Sequence, residues 1–254
     1  MNELNPTAGP VPPAIPTPPR ITKPLPLGED PADREPIPGP LVAVEAILRA
    51  PRRIMYQLRQ PGSGGLIMAM LLVSILCSLI YGLVVGTFSM GTQLWAAPVK
   101  VAGGLLVTAL ICLPSLYIFT CLSGSEAKLS EIFGLITGLL MLMTILLIGF
   151  APVAWLFSQS TNSVVWMGIL HLIFWFISTM FGLKFLDSGF SHYKAKTSAG
   201  LYTWVIVFIL VAVQMTTALR PIVGTSDSFF PKEKKFFLSH WGDSLSAPAK
   251  PAAQ

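Results

Sequence analysis

The sequence predicts an all-α fold: a polytopic membrane bundle of five transmembrane helices flanked by amphipathic interfacial segments. Three observations predict it. Long apolar runs fill residues 65–219 with scarcely an ionisable side chain inside them. The composition is 53% apolar and 11% charged, where soluble domains average about 25% charged, and mean hydropathy is +0.67. None of the runs carries the polar stripe that an outer helix of a soluble bundle needs. The predicted spans are 65–88, 99–122, 131–157, 163–186 and 200–219. At about 1.5 Å of rise per residue each covers the ~30 Å hydrocarbon core.

Residues 1–40 read as a disordered proline-rich cytoplasmic tail. They hold thirteen of the 22 prolines, favour polyproline II and cannot bury a core. They also lack the basic-then-apolar pattern of a secretory signal. A spacer and a docking strip are the two roles open to such a tail.

Residues 41–60 change character. Leu41, Val44, Ile47 and Leu48 share a helical face, continued after Pro51 by Ile54, Met55 and Leu58. Arg49, Arg52, Arg53 and Arg59 lie off that face, so the segment reads as two short interfacial helices whose arginines meet lipid headgroups. Residues 61–65 then turn the chain into the bilayer, and 61–224 form the five-span domain.

Basic residues set the orientation. These arginines, Lys128 after span 2, and Lys184, Lys194 and Lys196 after span 4 fall on one side. Only Lys100 falls in the two short loops opposite. The positive-inside rule therefore predicts a cytoplasmic N-terminus and an extracytoplasmic C-terminus. Residues 225–254 form an outer tail whose aromatic and basic residues, Trp241 among them, seat it at the interface; a contact surface for a partner's external domain is the alternative. Arg220, just beyond span 5, reads as a snorkelling anchor.

Two stripes of small residues stand out: Ser74, Ser78, Gly82 and Gly86 in span 1, and Ser130, Gly134 and Gly138 at the start of span 3. Apolar area alone does not pair helices in lipid, whereas close backbone approach does. The stripes therefore mark packing faces, either within the chain or toward a partner. Pro114 and Pro152 release the carbonyls of Leu110 and Ile148 and predict kinks, with Ser115 and Thr144 placed to satisfy freed backbone. His171 is the clearly intramembrane titratable residue, and Gln214 belongs to the polar outer end of span 5. A neutral His171 hydrogen-bonded inside the bundle is expected, since no acid lies at its depth for a proton relay. Cys77, Cys112 and Cys121 read as buried free thiols.

The formal charge of +5 does not imply nucleic acid, because the basic residues gather beside the membrane ends. No nucleophile–base pair, metal-ligand set or phosphate loop appears, so neither an enzyme nor a cofactor is expected. Membrane lipids, and other integral membrane proteins or a second copy, are the expected partners. The sequence thus predicts a non-enzymatic membrane scaffold or accessory subunit, associating through its small-residue faces and tails. The alternative is a small transporter or channel using kinked spans 2 and 3 and the His171 face.

Four stretches carry a family likeness: ILRAPRRIMYQL before span 1, AAPVKVAGGLLVTALICLPSLYIF in span 2, APVAWLF closing span 3 and QMTTALRPIVG closing span 5. Through them residues 41–224 resemble the bacterial branch of the Ypt/Rab-interacting protein (YIP) family of five-span membrane proteins. The resemblance implies a cytoplasmic N-terminus, here in a bacterial cytoplasmic membrane, and a non-catalytic role in organising membranes or binding proteins. The Asp-Leu-Tyr-Gly-Pro element of eukaryotic members and the Leu-Lys-Lys-Thr core of actin binders are both missing, so neither GTPase nor actin binding is carried over.

Overall fold

The computed structural model describes residues 25–161, 163–192 and 199–218, and among these the regular structure is entirely helical. Three short helices, α1 (Pro31–Arg34), α2 (Pro40–Arg49) and α3 (Pro51–Leu58), precede five long ones. These are α4 (Gly64–Thr87), α5 (Gln93–Leu122), α6 (Leu129–Ser160), α7 (Val164–Ser191) and α8 (Ala199–Ala218). Helices α4 to α7 are long and apolar enough to cross a membrane, which makes this an integral membrane protein.

Local chemistry sets the boundaries. Ala50 leaves the helical region (φ −139°, ψ 63°) ahead of Pro51, whose ring disfavours a helical residue before it, so α2 and α3 are separate helices. At the end of α5 the Gly124 N–H donates to Cys121 O and the Ser125 N–H to Thr120 O. With Gly124 at φ +73°, this is a Schellman motif that satisfies the last carbonyls. Glu131 Oε2 accepts from the Lys128 N–H at 3.2 Å and starts α6.

The long helices form a row, α7–α6–α4–α5–α8, with α5 also touching α6. Helix α6 is the hub. Ile132, Leu135, Leu139, Met141, Met143 and Leu147 are fully enclosed on it, and its apolar stretch is more deeply buried than those of α4, α5 and α7. The α2–α3 pair packs on the end of the bundle where α4 and α6 begin; this is called the near end below, and the opposite one the far end. A main core includes α2, α3 and the near half, while a smaller cluster around Tyr81, Leu147, Met167 and Phe174 fills the far half.

Several expectations need correction. Residues 25–40 are not disordered: they turn, form α1 and lie on α3. The inward face of α2 is Ala43, Ala46 and Ile47, whereas Leu41 and Leu48 are exposed. Helix α5 starts at Gln93, runs through Pro98 and encloses Lys100 at 2% exposure, so Lys100 is no loop residue. Cys121 is exposed, although all three cysteines are free thiols. Arg220, Trp241, the outer tail and residues 1–24 lie outside the described residues.

Candidate functional site

The first stripe is occupied inside the chain. Ser74, Ser78, Gly82 and Gly86 are all buried, and the glycines face the backbone of α5. A Cβ on Gly82 would overlap Pro98 Cα and stand 3.1 Å from Ala97 O; on Gly86 it would stand 2.7 Å from Gln93 O. The second stripe is also used internally, but by side chains. Gly134 receives Leu58 of α3 and Gly138 receives Phe185 of α7, while Ser130 is exposed. Gly182 and Gly189 of α7 add to this seam by admitting Leu139 and Leu135. Of the two roles open to these faces, packing within the chain accounts for every stripe residue but Ser130.

His171 finds a partner that its own helix does not supply. Its Nδ1 lies 2.7 Å from Tyr81 Oη, and the rings meet edge to face at 5.7 Å. The bond directly ties α4 to α7, two helices that α6 otherwise separates. Beside it Phe150 stacks on Phe174 at 4.7 Å. His171 Nε2, Gln93 Oε1 and Ser178 Oγ are enclosed with no hydrogen-bond partner among the described residues. Polar side chains thus gather in the far half and at mid-depth, where α7 is least tightly packed.

The freed carbonyls behave differently from expectation. Ser115 Oγ donates to Cys112 O at 2.8 Å and Thr144 Oγ1 to Leu140 O at 2.9 Å, rather than to Leu110 or Ile148. Trp204 Nε1 also donates to Cys112 O, at 2.9 Å, and fastens α8 to α5. Gln214 is half-buried in the last turns of α8.

The near end is the most highly connected polar region. Arg52 forks onto Asp33, Nε to Oδ1 at 3.3 Å and Nη2 to Oδ2 at 3.0 Å. Its Nη2 also donates to Leu25 O at 2.8 Å and Pro26 O at 3.2 Å. Arg53 donates to Glu35 O at 3.0 Å and to Pro36 O, and pairs with the Glu35 carboxylate at 3.2 Å. Arg59 donates to His192 O at the end of α7. Only Arg49, 81% exposed and paired with Glu45 on its own helix, points away from the protein. Arg52 and Arg53, expected to meet headgroups, are here surrounded by protein oxygens of residues 25–36.

Burial pushes the Asp33 carboxyl up, but the Arg52 hydrogen bond, the Gly28 N–H and the guanidinium charge outweigh it and hold it below its ordinary value. His192 is held below its own ordinary value by burial first and then by Arg52 and Arg59, with Asp33 partly opposing. No group of three or more His, Cys, Asp or Glu among the described residues is arranged to hold a metal.

No family model, curated protein or solved structure matches the chain.

Proposed function

We propose that the chain is a non-enzymatic scaffold or accessory subunit of a bacterial cytoplasmic membrane, crossing the bilayer five times with its N-terminus in the cytoplasm. One observation carries the reading: the helices sort their residues by size. Small and polar side chains turn inward against the same chain. Large apolar ones, such as Leu110, Ile118, Phe176, Phe181, Ile206 and Leu210, cover the outside of α5, α7 and α8. A surface that apolar requires lipid or other membrane proteins beside it.

The fifth crossing is α8, whose 20 residues reach about 30 Å. Exposed Trp95, Trp155 and Trp166 in the end turns of α5, α6 and α7 supply a far-side aromatic belt. Helices α2 and α3 lie at the opposite interface. Association then runs through the lipid-facing helix surfaces and the tails. The YIP-like assignment is part of this proposal and rests on the four stretches quoted above.

Purification from native membranes in mild detergent, followed by mass spectrometry, tests the reading. A specific co-purifying membrane protein is expected; a strict monomer with no enriched partner defeats it. A second reading, a small transporter or channel, is favoured by the enclosed Tyr81, Gln93, Lys100 and His171 of the far half. It requires solute flux in proteoliposomes that His171→Ala abolishes.

A further inference from the structure

We infer that Arg52 and Arg53 form a site for the phosphodiester of an anionic phospholipid, and that residues 25–36 are a strap that competes for it. The inference rests on the membrane reading above but needs no protein partner. Two guanidiniums side by side on α3 are ringed by strap oxygens: both of Asp33, the carbonyls of Leu25, Pro26, Glu35 and Pro36, and the Glu35 carboxylate. A forked guanidinium recognises a carboxylate and a phosphate by the same planar pair of hydrogen bonds. The strap thus places on the arginines the oxygen arrangement that a headgroup offers.

The strap is held by little else. Within 25–36 only Gly28 and Asp33 are buried. Its apolar contacts are Leu27, half-buried against the main core, and Gly28 on the Tyr56 ring, where a Cβ would lie 2.5 Å from Cε2. Gln57 Nε2 adds donations to the Arg34 and Glu35 carbonyls. Helix α3 in turn is fixed: Ile54, Met55 and Leu58 are in the core, and Leu58 fills the notch at Gly134. The arginines are therefore anchored where the spanning helices start, at the level of headgroups. The other charges facing them are Glu35, which is largely exposed, Arg59 at the end of α3 and His192 at the end of α7. Anionic lipid concentrated at that surface competes directly with Asp33.

The test places a nitroxide at Ala32→Cys in the full chain, with Cys77, Cys112 and Cys121 replaced by Ala, in nanodiscs. Moving from pure phosphatidylcholine to an equal mixture with phosphatidylglycerol is expected to raise the mobile fraction about threefold or more. Two further variants free the strap in phosphatidylcholine alone and increase phosphatidylglycerol retained in native mass spectrometry. Asp33→Asn does so by removing charge, and Gly28→Val by forcing the strap off Tyr56. Arg52→Gln with Arg53→Gln frees the strap but loses the retained lipid. An unchanged spectrum between the two lipids overturns the inference, as does equal retention by wild type and Asp33→Asn. Mobilisation by sodium phosphate in phosphatidylcholine, beyond sodium chloride of equal ionic strength, assigns the site to soluble phosphate and overturns the lipid.

Discussion

The two glycine-bearing stripes look alike in sequence and differ in what fills them. On α4, Gly82 and Gly86 admit the backbone of α5 at Pro98 and Gln93. On α6, Gly134 and Gly138 admit the tips of Leu58 and Phe185. A backbone neighbour cannot turn aside, whereas a side-chain tip can change rotamer. The far-half seam between α4 and α5 is therefore rigid, and the near-half seam around α6 is adjustable. The same small-residue spacing encodes two mechanical behaviours.

The sharpest way to break this comparison is Gly82→Ala. The new Cβ overlaps Pro98 Cα, so α4 and α5 must separate, at a cost of about 3 kcal/mol. A large fall in the unfolding temperature of the purified protein is expected, and no side-chain substitution on α5 rescues it. Gly138→Ala meets the edge of the Phe185 ring, Cε1 at 2.6 Å and Cζ at 2.8 Å, and is expected to cost about 1 kcal/mol, restored by Phe185→Leu. If both variants lose equal stability, the distinction between the seams is wrong.

The tie between α4 and α7 comes next in size. Tyr81→Phe and His171→Phe each remove one side of the 2.7 Å contact. A double-mutant cycle should return a coupling near 0.6 kcal/mol and not above about 1.7 kcal/mol, the range of hydrogen bonds between membrane helices. Zero coupling would remove the bond from the account of how α7 is held in the far half.

Each seam was legible to a different depth. Four-residue spacing of small side chains is local and can be read directly, so Ser74 to Gly86 announced a packing face on α4. Which neighbour fills it depends on residues far off in the chain. Leu58 reaches Gly134, and Tyr81 reaches His171 across ninety positions. Tyr81, one residue from Gly82, belonged to no motif. The strap was misread for a definable reason: proline-rich composition correctly forbids a core of its own, yet extended backbone has carbonyls that no helix uses. Those carbonyls, with Asp33, bind the arginines. Lys100 stands inside α5 because the helix runs on through Pro98, whose ring is tolerated there as the surface on which Gly82 packs.

The near end also predicts a dependence on pH. Asp33 and His192 both titrate below their ordinary values of 3.8 and 6.5, so the unfolded chain takes up protons before the folded one does. The stability from His192 is complete above about pH 6.5 and declines as pH falls through its lower folded value; that from Asp33 does the same around and below pH 3.8. Between pH 7 and 5 the unfolding temperature should therefore drop, and His192→Gln should flatten that part of the curve. Asp33→Asn should leave the drop between pH 7 and 5 in place.

The smallest effect belongs to Arg49, and it separates position from charge. Arg49 and Arg52 are three residues apart and carry the same group. Arg49 pairs with Glu45 in open solvent, with side chains 81% and 62% exposed, whereas Arg52 holds an acid that is only 6% exposed. An exposed pair one helical turn apart contributes at most about 0.5 kcal/mol. Removing Arg52 leaves a buried carboxylate and several carbonyls without their donor, a far larger penalty. Arg49→Ala is thus expected to leave the unfolding temperature and strap mobility unchanged, while Arg52→Ala lowers the first and raises the second. Equal behaviour would mean that bulk positive charge, rather than the geometry of the fork, keeps the strap in place.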